Sequence, residues 1–198
     1  MLTNKRVHEL LDAFASADPT PGGGSASALA GALAASLLAM VAGMPKTKLG
    51  TAEERDALAA ARTTLLRTKA VLTDLIDRDS AAYDLVVAAY RGPKSTDDEK
   101  TARKVAIQQA MRAATEAPLE TMRACLEVMR ESVAVAACGN PAASSDVAVA
   151  RGLAAAAFAG ARHNVDINLG GLTDAALVDA IRQESAALVA AIDASGPE

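Results

Sequence analysis

Residues 19 to 45 read PTPGGGSASALAGALAASLLAMVAGMP and contain no charged side chain. The prolines and glycines at the start predict a turn, and Ser25 is a suitable N-cap for a helix that runs to Met44. About 20 apolar residues would be enough to cross a membrane, but most residues here are Ala, Gly or Ser. We therefore expect a helix buried inside a soluble protein, with Gly31 allowing close approach of another backbone.

Small residues also dominate the rest of the chain, which has 49 alanines among its 198 residues. Aromatic residues make up only 2%, and strand-forming residues are sparse, so the composition favours an all-α protein. A formal net charge of −4 gives no basic surface for nucleic acid, and so few aromatic rings offer no platform for stacked bases. The length is that of one domain, residues 1–198.

Apolar residues at helical spacing, interrupted by proline and glycine, divide the chain into helices. Capping boxes begin two of them, at Thr51 and at Thr96, and Pro118 should kink the second. The expected fold is an up-and-down helical bundle with long, kinked helices. The pattern predicts helices over residues 7–14, 25–44, 51–91, 97–137, 144–168 and 173–194.

The few cysteines and histidines limit the chemistry and suggest the compartment. Cys125 and Cys138 lack the spacing of a metal or redox motif and are expected to be small buried thiols in a reducing cytoplasm. The N-terminus shows no apolar signal-peptide core, which also favours a cytoplasmic protein. His8 and His163 are the only histidines, so a histidine-rich metal site is excluded, and neither has an evident nucleophilic partner.

Asp79 is the main candidate for chemistry because it falls inside an apolar helical stripe. The stripe consists of Leu72, Leu75, Ile76, Tyr83, Val86, Val87 and Tyr90. A carboxyl group that faces a core has a raised pKa, which suits a general acid or base. The structural alternative is a buried ion pair with Arg or Lys from another helix. Asp77 lies on the opposite side of the helix and is expected to be solvated or at a subunit contact.

The loop of Gly22, Gly23 and Gly24 before Ser25 is the second candidate. Three glycines leave backbone N–H groups uncovered at the positive end of a helix, where an anion or an oxyanion can bind. The loop lacks the Gly-Lys-Ser/Thr ending of a nucleotide P-loop. A tight turn between two helices would explain the same residues.

Other polar residues are weaker candidates. Lys46, Lys48 and Lys94 follow the ends of helices and would ordinarily be solvated. Asp146 falls in the first turn of its helix, where a carboxylate complements the helix dipole. Asn164 and Asn168 share one helix face, either as cap residues or as amides that position a polar ligand.

Taken in order, these segments resemble the formiminotetrahydrofolate cyclodeaminase/methenyltetrahydrofolate cyclohydrolase family over nearly the whole chain. The resemblance implies an all-helical domain that works as a homodimer, with a folate cleft near the dimer interface. It also implies a tetrahydrofolate derivative as substrate, and no metal or redox cofactor. The segments are residues 21–33, 79–83, 92–94, 138–140, 145–146 and 164–169.

The family implies specific roles for these residues. Its cyclodeaminases convert 5-formiminotetrahydrofolate to 5,10-methenyltetrahydrofolate and ammonia, and its cyclohydrolases interconvert the 5,10-methenyl and 10-formyl compounds. Asp79 would be the catalytic acid and base. The residues expected to bind substrate are Gly22, Gly23, Gly24, Ser25, Lys48, Tyr83, Lys94, Asp146, Asn164 and Asn168.

Three alternatives remain open from the sequence. The chain has no room for the formiminotransferase domain that is fused to some relatives, which makes cyclohydrolase activity a serious rival. Residues 45–50 and 91–94 depart from the family pattern, which would suit another small-molecule substrate. A noncatalytic helical interaction module would also explain the alanine-rich composition.

Overall fold

The computed structural model describes residues 1–44 and 50–194, except the side chain of Asp193. No β-strand occurs in these ranges, so the all-α prediction is confirmed. Two short 3-10 turns, Leu2–Asn4 and Pro141–Ala143, accompany the helices. The helices are α1 (Val7–Phe14), α2 (Gly23–Ala42), α3 (Ala52–Arg91), α4 (Asp97–Cys138), α5 (Ser144–Leu169) and α6 (Ala175–Ala194).

Helix α2 forms the centre of the bundle and packs against α3, α4 and α5. Its length and mean hydropathy of 1.8 would suit a membrane span, but 61% of that apolar window is buried inside the fold. Close packing explains its small residues: a Cβ added at Gly31 would lie 3.0 Å from Cys125 Sγ. Burial raises the pKa of the Cys125 thiol to about 12, and Cys138 is half-buried. The burial agrees with the prediction of a core helix.

Both long helices begin as predicted. At each start the Thr hydroxyl accepts a hydrogen bond from the backbone N–H three residues on, over 3.1 Å at both Thr51 and Thr96. Helix α3 is one continuous helix of 40 residues. Helix α4 continues through Pro118, which is buried. Helices α3 and α4 are therefore the longest elements of the bundle, and both contribute residues to the cleft described below.

Two predicted serine caps are wrong. Helix α2 begins at Gly23 with Gly22 as its N-cap, and the Ser25 hydroxyl bonds elsewhere. Helix α5 follows the 3-10 turn directly, so its N-cap is Ala143 and neither Ser144 nor Ser145 caps it. Neither Gly22 nor Ala143 has a side chain that can accept a hydrogen bond from the first N–H groups of its helix, so both helices start without a side-chain cap.

Asp77 does not remain free in solvent, which corrects the first of its two predicted environments. It accepts a hydrogen bond of 2.6 Å from the Thr3 hydroxyl and others from the backbone N–H groups of Leu2 and Thr3. Partial burial acts to raise the pKa of Asp77, but these hydrogen bonds outweigh it and lower the pKa. Asp77 therefore fastens the N-terminal turn to α3.

Candidate active site

The N-terminus of α2 meets the middle of α3 at Asp79. Gly24 lies directly against this carboxylate: a Cβ added to Gly24 would be 2.5 Å from Asp79 Cγ. Such a distance is far inside van der Waals contact, so any side chain at position 24 would displace the carboxylate. The uncovered backbone N–H groups at the start of α2 therefore lie beside the acid, where the positive end of the helix dipole is strongest.

Ser25 forms a hydrogen bond with Asp79 from behind the carboxylate, on the side away from the cleft. Its hydroxyl lies 3.0 Å from Asp79 Oδ2, and its side chain has 0% exposure. The Ser25 Oγ atom also lies 2.8 Å from the backbone carbonyl of Ile76 and 3.0 Å from Ser80 Oγ. Ser25 was predicted to contact substrate, but the structure does not bring it to the surface of the cleft; it lies behind the carboxylate instead.

Burial raises the pKa of the Asp79 carboxyl above its ordinary value, although hydrogen bonds from the Ser25 hydroxyl and backbone act to lower it. No Arg or Lys forms an ion pair with Asp79 in the described part of the chain. The alternative of a structural ion pair therefore has no support here. What remains is an unpaired carboxyl whose protonation changes closer to neutrality, as a general acid and base requires.

Asp79 opens into a cleft of about 480 Å³ between α2, α3, α4 and α5. Of the predicted binding residues, the cleft brings together Gly22, Gly23, Gly24, Tyr83, Asn164 and Asn168. The residues that line it in the described chain include no Lys or Arg. The remaining lining residues, which sequence reasoning did not identify as site residues, are Pro19, Val86, Tyr90, Met111, Ala114, Ile167 and Gly171.

The two amides on α5 are held in place by backbone carbonyls. Asn164 Nδ2 donates to the carbonyl of Gly160 over 2.8 Å, and Asn168 Nδ2 donates to that of Ala114, on α4, over 2.7 Å. A Cβ added at Gly23 would lie 3.4 Å from Asn164 Nδ2, so this amide lies beside the start of α2. Each amide keeps its oxygen and a second N–H for a ligand, which fits positioning better than capping.

The apolar stripe of α3 divides into two parts. Leu72, Leu75 and Ile76 are buried in the core, whereas Tyr83 and Tyr90 are 43% and 52% exposed. Beyond Asp79 the stripe therefore forms a wall of the cleft. The helical spacing that identified Asp79 could also have identified Val86 and Tyr90 as cleft residues, but nothing in the sequence marks Met111 or Ala114 on α4.

Several predicted site residues do not reach the cleft. Lys94 is exposed in the loop after α3 and does not line it. Asp146 lies in the first turn of α5, about 27 Å along the helix from Asn164, because each residue adds about 1.5 Å. Lys46 and Lys48 lie outside the described residues. No group of three or more His, Cys, Asp or Glu residues that could hold a metal ion occurs in the described part of the chain.

Comparison with known proteins identifies similar chains. A family model described as formiminotransferase-cyclodeaminase matches residues 6–187. A methenyltetrahydrofolate cyclohydrolase of Methylorubrum extorquens is 38% identical over 190 residues, which cover 96% of this chain and 91% of that protein. A formimidoyltransferase-cyclodeaminase of Sus scrofa is 31% identical over 195 residues, and the match covers 95% of this chain but 35% of that protein.

A solved structure shows the same fold. The crystal structure of formiminotetrahydrofolate cyclodeaminase from Thermotoga maritima matches with a TM-score of 0.87 and 27% sequence identity. The match covers 98% of this chain and 93% of that chain. The likeness therefore extends over the whole bundle, including the four helices that form the cleft.

Proposed function

The chain belongs to the formiminotransferase-cyclodeaminase family, and from this membership we propose that it is a formiminotetrahydrofolate cyclodeaminase. Such an enzyme converts 5-formiminotetrahydrofolate to 5,10-methenyltetrahydrofolate and ammonia. The observation that carries the proposal is the unpaired Asp79 carboxyl, with its raised pKa, at the head of a cleft bordered by the start of α2. This environment matches the reaction, which needs a base first and an acid afterwards.

The proposed chemistry uses one carboxyl group twice. N10 of the folate attacks the carbon of the protonated formimino group on N5, whose nitrogen becomes an amino group as the C=N double bond opens, and Asp79 accepts the proton that N10 loses. The resulting tetrahedral carbon carries the amino group, to which Asp79 returns the proton. The bond from carbon to the amino nitrogen then breaks, ammonia leaves, and the methenyl bridge remains. A raised pKa favours this exchange because the carboxyl group can both take and give a proton near neutrality.

The lining of the cleft supports distinct binding roles. The N–H groups of Gly22, Gly23 and Gly24 suit a partly negative or polar edge of the folate. The amides of Asn164 and Asn168 suit the donor and acceptor pattern of the pterin ring. Because the described lining contains no Lys or Arg, we assign attraction of the anionic glutamate end to Lys94, in the loop after α3, and to Lys48, which is not among the described residues.

Methenyltetrahydrofolate cyclohydrolase is the second candidate. The Methylorubrum extorquens protein with that name is covered over 91% of its length, whereas the Sus scrofa cyclodeaminase is covered over 35%, so the chain spans about a third of the latter. The same cleft suits this reaction, since Asp79 would take a proton from the water that attacks the methenyl carbon and give it to N5 as the bond from that carbon to N5 breaks. The hydroxyl group on the carbon loses its proton to solvent and becomes the carbonyl of 10-formyltetrahydrofolate.

A spectrophotometric assay separates the two activities. Purified protein is mixed with 5-formiminotetrahydrofolate or with 10-formyltetrahydrofolate, and the near-ultraviolet absorbance of methenyltetrahydrofolate is followed. A cyclodeaminase produces the signal from the first compound with release of ammonia, and a cyclohydrolase produces it from the second. Absence of turnover with both compounds would exclude both activities and favour another substrate or a noncatalytic role.

We also infer that the chain forms a homodimer through the outer faces of α2 and α5. Helix α2 contains no charged residue, and on its outer face Leu33 is 50% exposed and Met40 is 45% exposed, while Val149 on α5 is 55% exposed. An added Cβ at Gly152 would meet nothing within 4 Å, which leaves room for a second helix. A second copy of the chain would cover these apolar side chains with the same kind of surface. Sedimentation equilibrium at micromolar concentration measures the mass directly.

A further inference from the structure

The Ser25 hydroxyl has more partners than it has hydrogens. Its oxygen lies within 2.8 Å of the Ile76 carbonyl and 3.0 Å of both Asp79 Oδ2 and Ser80 Oγ. A serine hydroxyl can donate only one hydrogen bond, although its oxygen can accept two. Because Ser25 has 0% exposure, no water molecule can be its partner. Its single hydrogen can therefore bond to only one of these three oxygens at a time.

The protonation state of Asp79 determines which oxygen accepts the Ser25 hydrogen. When the carboxyl is ionised it can only accept, so Ser25 donates to Oδ2 and accepts the hydrogen of Ser80. When Oδ2 carries a proton it can donate to Ser25, and the Ser25 hydrogen then turns to the Ile76 carbonyl. Both arrangements leave every hydrogen of this buried cluster bonded, and Ser25 itself gains and loses no proton.

We propose that Ser25 is a positioning residue whose hydroxyl reverses direction each time Asp79 gains or loses a proton. Its use in catalysis rests on the function proposed above, in which Asp79 accepts and returns one proton in each turnover. The reversal needs only rotation about the bond from Cβ to Oγ, so the carboxyl keeps its place throughout. Ser80 favours the ionised state, since its donation to Ser25 strengthens the donation of Ser25 to Asp79, whereas in the protonated state Ser80 and Asp79 share the two acceptor positions of the Ser25 oxygen.

The surroundings of Asp79 isolate its titration from other groups. Its own helix presents Tyr83 and Tyr90 to the cleft. The residues that the other elements present are uncharged: Gly22, Gly23 and Gly24 at the start of α2, Met111 and Ala114 from α4, and Asn164, Ile167 and Asn168 from α5. The neighbouring acid Asp77 faces the N-terminal turn, and Arg78 pairs with Glu120 on α4 at 2.9 Å. The titration of Asp79 therefore reports on its own hydrogen bonds rather than on a neighbouring charge.

Carboxyl carbon NMR of uniformly 13C-labelled protein without substrate tests the proposal. The Asp79 signal is identified by its loss in Asp79→Asn, and its titration midpoint is compared between the wild type and Ser25→Ala. Loss of a hydrogen bond to the charged form should raise the midpoint by about one to two pH units. Ser25→Thr keeps the hydroxyl and should return the midpoint towards the wild-type value. Ser132→Ala removes another buried hydroxyl, one that bonds only within α4, and should leave the midpoint unchanged.

The outcomes separate the proposal from a structural role and from the proposed function. A midpoint unchanged in folded Ser25→Ala would overturn the proposal. If that variant does not fold, Ser80→Ala decides: a smaller upward shift supports the proposal, and no shift overturns it. Because the titration needs no substrate, its result tests the role of Ser25 even if the protein turns over neither folate compound. With an active enzyme, Ser25→Ala should lower kcat about tenfold, leave KM nearly unchanged and move the acidic limb of the pH profile upward.

Discussion

Gly24 and Asp79 are in direct contact, backbone against carboxylate. A Cβ added at Gly24 would lie 2.7 Å from Asp79 Oδ2 and closer still to Oδ1. The contact brings the positive end of α2 to the one unpaired acid of the cleft lining. It also means that the glycine at this position serves the site and not only the turn before α2.

Gly24→Ala should therefore reduce activity at least a hundredfold, because the new methyl group displaces the carboxyl from its place. A displacement of about 1 Å is enough for a loss of this size. The measurement is kcat/KM, together with the circular dichroism spectrum to show that the helices persist. Gly22→Ala is the comparison, since its added Cβ would meet only the Pro19 carbonyl at 3.8 Å. Equal losses in both variants would contradict the role given to this contact.

Asp79→Asn should lower kcat by about 10²–10⁴, which is the usual contribution of a general acid or base. Asparagine keeps the shape of the side chain but cannot take a proton from the substrate. The matched control is Asp77→Asn, two residues away on α3, because Asp77 bonds to the N-terminal turn rather than to the cleft. Activity in Asp79→Asn within threefold of the control would remove Asp79 from the mechanism.

The same substitution should stabilise the protein at neutral pH. Because the pKa of Asp79 is raised in the folded state, ionisation opposes folding once the pH exceeds the unfolded value of about 3.9. The penalty grows until the pH passes the folded pKa and is constant above it. Asp79→Asn should therefore raise Tm at pH 7 above that of the wild type, because the amide is uncharged and carries no such penalty.

Differential scanning calorimetry from pH 3 to pH 8 measures this effect. The difference in Tm between Asp79→Asn and the wild type should be near zero at the acid end and should reach its full size only above the folded pKa. A lower Tm in the variant across the whole range would show that the Asp79 carboxyl stabilises the fold instead.

Helical spacing explains how much of this site is predictable. The position of Asp79 on the apolar stripe indicated a carboxyl group that faces the core, and the order of Gly22–Gly24, Asp79 and Asn164 indicated the family. Spacing could not show that Ser25 points behind the acid, because that depends on the start of α2 at Gly23. Nor could it show that Met111 and Ala114 line the cleft, since on α4 they look like any core residues.

Leu33→Glu should convert the proposed dimer to a monomer. Leu33 is 50% exposed in the middle of the uncharged outer face of α2, and burying two carboxylates at a symmetric contact without partners is unfavourable. Sedimentation equilibrium should show half the wild-type mass. Leu66→Glu on α3, where the leucine is 41% exposed among charged neighbours, provides the control and should leave the mass unchanged. A wild-type protein that is already monomeric would contradict the inference.

Tyr90 should contribute mainly to substrate binding. Its ring lines the cleft on the same face of α3 as Asp79, and Arg103 lies over it at 5.7 Å while donating to the Tyr90 carbonyl at 2.7 Å. A ring held in this way suits stacking on a planar heterocycle, which is worth about 1–3 kcal/mol for nucleic-acid bases. Tyr90→Ala should raise KM about tenfold or more with little change in kcat, whereas Tyr90→Phe should stay within about twofold of the wild type. Leu85 is an exposed residue of α3 outside the cleft lining, so Leu85→Ala should leave both constants unchanged. A Tyr90→Ala enzyme with a lower kcat and an unchanged KM would show that the ring acts on the chemical step instead.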